Sequence, residues 1–287
     1  MRWIMWKRLF SLLAFALVAL SGDAQAAYSC AVTATSVSVV YSPTVATDNI
    51  TTGTWTVSCT RLGTDSATLN YSIAATNGLQ PAGGSNRVRR GATADYYNYE
   101  IYRLTPYINA NRWQGNSRFT GTLLFGASLS ASVSGVFDLR VPGSQTVVTA
   151  GTYTDTVTMT LRDTGAGTTL NTGTFNVNVI TTNSCQITTA PGNMSFVYTS
   201  FQAATVNANT TFDARCTTGL PYTMALDVTS GALLGLNYLL SLPVASATGN
   251  GIVQTFTING SIAGAQAGTC AAATCAGSQT RTLTVSY

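Results

Sequence analysis

The sequence predicts an all-β protein built from two β-sandwich domains, and three observations carry that expectation. Short stretches repeatedly alternate apolar residues with Thr, Ser or Asn, the period-2 pattern of half-buried strands. Composition points the same way, with 26 Gly to form turns and only 8% charged residues, too few for ordinary amphipathic helices. The third observation is a long internal repeat framed by cysteines.

Residues 1–26 read as a secretory signal peptide and not as part of the fold. Arg2, Lys7 and Arg8 precede an apolar run over 9–20, and Ala24-Gln25-Ala26 forms an A-x-A cleavage site. The run is well short of the ~20 residues that a membrane span needs. Residues 27–183 and 184–287 are then the two expected domains, a size usual for single sandwiches.

The first domain opens with Cys30 and a VSVVYS segment ending at Tyr41-Ser42, followed by a strand TWTVSC ending at Cys59. LNYSIA over 69–74, YNYEIYR over 97–103 and VFDLRV over 136–141 are its next strands. Its closing stretch is the clearest of all. In 153–161, Tyr153, Val157, Met159 and Leu161 share one face, Asp163-Thr-Gly-Ala-Gly167 supplies a turn, and Phe175, Val177 and Val179 alternate with asparagines on the return.

The second domain repeats this order. Cys185 is followed by MSFVYTS with Tyr198, and TFDARC ends at Cys216; the Tyr-to-Cys spacing is 18 residues in both halves. YTMALD over 222–227, NYLLSL over 237–242 and FTINGSIA over 256–263 follow. A last strand runs over 279–287, and no returning strand succeeds it. A period this long indicates duplicated domains, because solenoid repeats are shorter.

All six cysteines lie in the exported part, which suggests disulfides. The separations of 29 residues for Cys30 and Cys59 and 31 for Cys185 and Cys216, with Cys270 near Cys275, favour pairing in that order. A zinc site is disfavoured by the absence of His and of paired C-x-x-C motifs. Residues 27–287 carry 11 Arg, no Lys and 9 acids, a net charge of +2 that argues against nucleic acid as a partner. Without His, the commonest general base is missing, and no acid spacing suggests a carboxylate pair. An enzyme, a cofactor and a metal are therefore not expected.

The Cys, V-Y/F-Y step and Cys-terminated strand, the segment Asn98-Tyr-Glu-Ile-Tyr-Arg103, the turn Arg112-Trp-Gln-Gly115 and the run beginning at Gly151 resemble the spore coat protein U family. That family includes subunits of archaic, Csu-type chaperone–usher pili. The resemblance covers nearly all of residues 27–287 as two copies, the second degenerate. It implies immunoglobulin-like β-sandwich domains, the first self-complete and the second lacking its final strand. It further implies a periplasmic chaperone, an outer-membrane usher and an adjacent pilin subunit donating an N-terminal strand, by strand addition to an open edge. Leu283, Val285 and Tyr287 would line the accepting edge. Only three residues separate the cleavage site from Cys30, too few for a donor arm, so the expectation is a tip adhesin displayed at the cell surface and initiating biofilms.

The candidate surface-binding residues are apolar groups in turn-rich segments: Leu79 and Pro81, Tyr107 and Ile108, and Leu123, Leu124 and Phe125. Packing in a strand is the competing reading for 123–125. The target would be an abiotic surface or a host receptor. Trp113 and the tyrosines of 96–102 raise an alternative, a carbohydrate- or protein-binding tip domain, and a secreted coat-like structural protein is a further one.

Overall fold

The computed structural model describes residues 28–42, 46–146 and 148–287, so the signal-peptide reading of 1–26 lies outside the described residues. The first sandwich contains β1 (Ser29–Ala34), β2 (Val37–Val40), β3 (Asn49–Thr60), β4 (Thr68–Ala75) and β5 (Asn86–Arg89). It continues with β6 (Tyr96–Tyr102), β7 (Phe119–Leu124), β8 (Ser130–Val141), β9 (Gly151–Asp163) and β10 (Thr169–Thr181). One sheet runs β1-β3-β8-β6 and the other β7-β4-β9-β10-β2, while β5 pairs with both β6 and β9 and joins the sheets.

Strand alternation builds the core directly. Tyr153, Val157, Met159 and Leu161 of β9 are buried, as are Phe175, Val177 and Val179 of β10. Trp113 is fully enclosed, its Nε1–H donating to the Ile73 carbonyl at 2.9 Å among Phe119, Phe137 and Phe175. Tyr97, Tyr99 and Tyr102 are buried too. These rings are core, and none is free to stack on a sugar.

The second sandwich contains β11 (Cys185–Thr189), β12 (Val206–Cys216), β13 (Pro221–Leu226) and β14 (Ser230–Leu233), then β15 (Leu236–Ser241), β16 (Ser246–Thr248), β17 (Val253–Ile262) and β18 (Leu283–Ser286). Its sheets are β11-β12-β17-β15-β14 and β16-β13-β18. Phe212, Tyr222, Met224, Phe256 and Ile258 form a separate core.

Disulfides join Cys30 to Cys59, Cys185 to Cys216 and Cys270 to Cys275. The first two link residues directly opposite on neighbouring strands, in the same place of each sandwich. The strand expected from residue 279 begins only at Leu283. Arg281 donates through Nε to the Tyr238 hydroxyl at 2.8 Å, and Gln279 donates to the Ala232 carbonyl at 2.8 Å. Both side chains thus hold this stretch to β14 and β15, in the opposite sheet.

Candidate functional site

Two features stand out: the end of the first sandwich remote from the second, and an open lane in the second sandwich.

β10 ends at Thr181, and the chain enters β11 four residues later, so the β10 C-terminal end faces the second sandwich. Arg215 accordingly reaches the Gln145 carbonyl at 3.4 Å. The opposite, distal end carries the loops 61–67, 125–129 and 164–168. Arg61 ties the first two together. Its backbone N–H donates to the Leu129 carbonyl at 2.9 Å, and its guanidinium donates to the carbonyls of Asp65 at 2.8 Å, Gly126 at 3.0 Å and Ser128 at 3.2 Å. Phe125 is wedged between the stacked ring of Tyr28 and the guanidinium of Arg61. On this tied frame Leu62, Leu124 and Leu129 are 64%, 69% and 54% exposed.

The candidates from the sequence are therefore separated. Leu124 is exposed on the distal end, but its neighbours Leu123 and Phe125 are buried at 3% and 4%, which removes them from any contact surface. The physical reason is strand parity: Leu123 points inward from β7, and the chain turns at Gly126, with φ of 58°, only after Phe125 has packed on Tyr28. Leu79, Pro81 and Ile108 are exposed, and Tyr107 is half-buried with its hydroxyl donating to Asp138 at 3.1 Å. These four sit toward the proximal half. The Leu79 N–H donates to Asp155 Oδ1 at 2.8 Å, and that buried carboxylate also accepts from the Thr156 N–H at 2.8 Å and the Tyr99 hydroxyl at 2.6 Å. Burial, then the neighbouring Asp155 charge, pushes the Tyr99 hydroxyl well above its ordinary range, so it stays a donor. Leu62 and Leu129 escaped sequence reasoning because nothing local distinguishes an exposed leucine from a buried one.

The open lane appears when the sandwiches are compared. In the first, β10 lies between β9, antiparallel to it, and β2, parallel to it, with Val177 opposite Val37 and Ile180 opposite Val40. β18 occupies the place of β9, since each pairs with the strand after the second cysteine, β13 or β4. Residues 194–199 occupy the place of β2 by their common spacing to Cys216 and Cys59. They show the exposed and half-buried alternation of a strand, yet belong to none of the sheets. Among the described residues no strand lies between β18 and this segment. Leu283 and Val285 face inward there half-buried, and Tyr287 is 62% exposed. Unpaired backbone and partly wet apolar groups on one edge are what an added strand would cover.

A model of the Spore Coat Protein U domain matches residues 14–160 and 171–242. Protein U of Myxococcus xanthus is 36% identical over 129 residues, which are 43% of this chain and 65% of that protein, so the chain spans just under two thirds of its curated relative. Among solved structures, the chain is similar to the CsuC–CsuE chaperone–tip adhesion subunit pre-assembly complex of archaic Csu pili from Acinetobacter baumannii. Identity there is 15%, over 90% of this chain and 99% of that one, with a TM-score of 0.45. The CupB6 tip adhesin from Pseudomonas aeruginosa is 9% identical over 91% of this chain and 96% of that one, with a TM-score of 0.38.

Proposed function

The chain belongs to the spore coat protein U domain family, and from that premise we propose that it is the two-domain tip adhesin of an archaic chaperone–usher pilus. Residues 27–183 form the adhesive domain and residues 184–287 the pilin domain. The observation that carries this reading is the vacant lane between β18 and residues 194–197. Its counterpart in the first sandwich is filled by β10. A strand supplied by a periplasmic chaperone, and later by the adjacent subunit at the usher, would pair with β18 on one side and residues 194–197 on the other. It would bury alternate side chains as Phe175, Val177 and Val179 are buried in the first sandwich.

The distal leucines are the proposed contact with an abiotic or biotic surface. They lie opposite the connection to the second sandwich, and the Arg61 bonds tie together the loops 61–67 and 125–129 that carry Leu62 and Leu129. Attachment through such residues is hydrophobic and needs no cofactor.

Self-complementation tests the lane. Residues 184–287 are extended after Tyr287 by a Gly/Ser linker and a copy of Thr169–Thr181. The extended protein should melt cooperatively at a temperature well above that of 184–287 alone, whereas a copy with Val177→Asp should not raise it. Equal melting of all three proteins would mean that the lane accepts no strand.

A further inference from the structure

The wall of the lane formed by residues 194–198 has no ladder partner, yet it is held by a side-chain arrangement that the first sandwich repeats. There, the Gln145 N–H donates to the Tyr41 hydroxyl at 3.3 Å, and Gln145 Nε2 donates to the carbonyls of Asn98 at 2.9 Å and Pro142 at 3.1 Å. The Asn98 N–H returns a bond to Gln145 Oε1 at 2.7 Å. In the second sandwich, the Gln266 N–H donates to the Tyr198 hydroxyl at 2.8 Å, and Gln266 Nε2 donates to the carbonyls of Asn237 and Ala263, both at 3.0 Å. The Asn237 N–H returns a bond to Gln266 Oε1 at 2.7 Å. The same four bonds thus link the end of the β2 position, the start of β6 or β15, and the loop after β8 or β17.

In the first sandwich this clamp sits where β2 meets its partner, for the Tyr41 N–H donates to the Ile180 carbonyl of β10 at 2.8 Å. In the second the clamp is present, while among the described residues no partner strand lies beside it. A second adjustment accompanies it. The clamp aligns Asn98 with Asn237, and the pairings of Ile101 with Leu139 and of Leu240 with Gly260 then place Gly260 where the first sandwich has the buried Leu139. A Cβ at Gly260 would collide with the Met194 sulfur and lie 2.6 Å from Phe196 Cζ. The wall therefore docks its own Met194 and Phe196 into space that a floor side chain fills in the other half.

We propose that Tyr198, Gln266 and Asn237, with Gly260 as the receiving floor, are positioning residues that hold residues 194–198 in place as a standing wall of the lane before any donor strand arrives. The proposal rests on the lane reading above. A preformed wall spares the incoming strand the ordering of a second segment, so its effect falls on association.

The probe is a fluorescent peptide of residues 169–181, mixed with the full chain in stopped-flow measurements; the first sandwich already holds its own β10, so the peptide reports on the second. Tyr198→Phe removes only one hydroxyl and keeps the ring. Tyr198→Phe and Gln266→Ala, made as separate variants, should each slow association about three- to tenfold, the effect of one or more lost intramolecular hydrogen bonds, with dissociation unchanged within about twofold. Backbone amide exchange of 194–198 in the free chain should quicken in both variants. Tyr41→Phe should leave peptide association unchanged. Wild-type rates in both lane variants would overturn the clamp while leaving the lane intact. Faster dissociation with unchanged association would overturn it too, since the clamp would then act only in the complex. If the wild-type chain itself takes up no peptide, the lane reading fails, and the clamp proposal fails with it.

Discussion

Replacing Leu62, Leu124 and Leu129 together with serine should abolish most attachment to an apolar surface while leaving the fold intact. Each side chain keeps more than half of its surface in water, at 64%, 69% and 54% exposure. Full burial of a leucine is worth roughly 1.5–3 kcal/mol, so covering the exposed part returns about 1–2 kcal/mol each. Three acting together give at least about 3 kcal/mol, more than a hundredfold in a binding equilibrium. The folded chain loses little, because exposed substitutions usually change stability by less than about 0.5 kcal/mol. Retention of the purified chain on polystyrene under flow, read on a quartz-crystal microbalance beside a hydrophilic glass control, measures the effect. A parallel Leu79→Ser/Ile108→Ser protein keeps the distal end and alters exposed leucine and isoleucine elsewhere. The distal triple variant should desorb rapidly, and the parallel protein should hold as the wild type does. Wild-type retention of the triple variant, with an unchanged melting temperature, would refute the assignment of attachment to the distal end.

Gly78→Ala should destabilise the first sandwich by about 1–3 kcal/mol, since φ is 74° there and a methyl would overlap the Asp155 carboxylate that anchors Leu79. Thermal melting of the full chain would detect it, and an unchanged first transition would contradict the anchoring role of Asp155. Burial works to raise the Asp48 carboxyl, but the Gly143 N–H and the Arg140 guanidinium outweigh it and hold the group below the ordinary aspartate range. Stability from this group is therefore present above about pH 3.9 and is lost as pH falls through its lower folded value. Asp48→Asn should flatten the acid limb of urea-melt stability, and an acid limb equal to that of the wild type would exclude Asp48 from it.

Period-2 alternation made β9 and β10 legible in the sequence, because threonine and asparagine mark their outer faces without interruption. The cysteine spacings were equally readable, since each long pair closes a similar hairpin-like excursion. Residues 194–199 looked like a strand by composition, and only the sheet pairing revealed that, among the described residues, they pair with no strand. The late start of β18 was hidden for another reason: Gln279 and Arg281 fit the alternation, yet their side chains bond across to β14 and β15. Leu123 and Leu124 are adjacent and chemically identical, so their opposite burial follows from the register of β7 with β4, which local sequence does not encode. The glutamine clamp joins three segments far apart in the chain, and no spacing announces it.

The direction of β10 has a mechanical consequence. Its C-terminal end leads into the second sandwich, while the exposed leucines lie at the other end of the same domain. Tension between an attached surface and the rest of the assembly would then pull along β10, parallel to the ladders that it forms with β9 over Gly151 to Arg162 and with β2 over Val37 to Val40. Loaded in that direction, the hydrogen bonds of both ladders lie across the pull and must give way together. A hairpin opened from its turn would lose them one after another. A strand seated in the vacant lane with β10's orientation would meet the same shear geometry, so each joint in the line of force would resist by collective rupture.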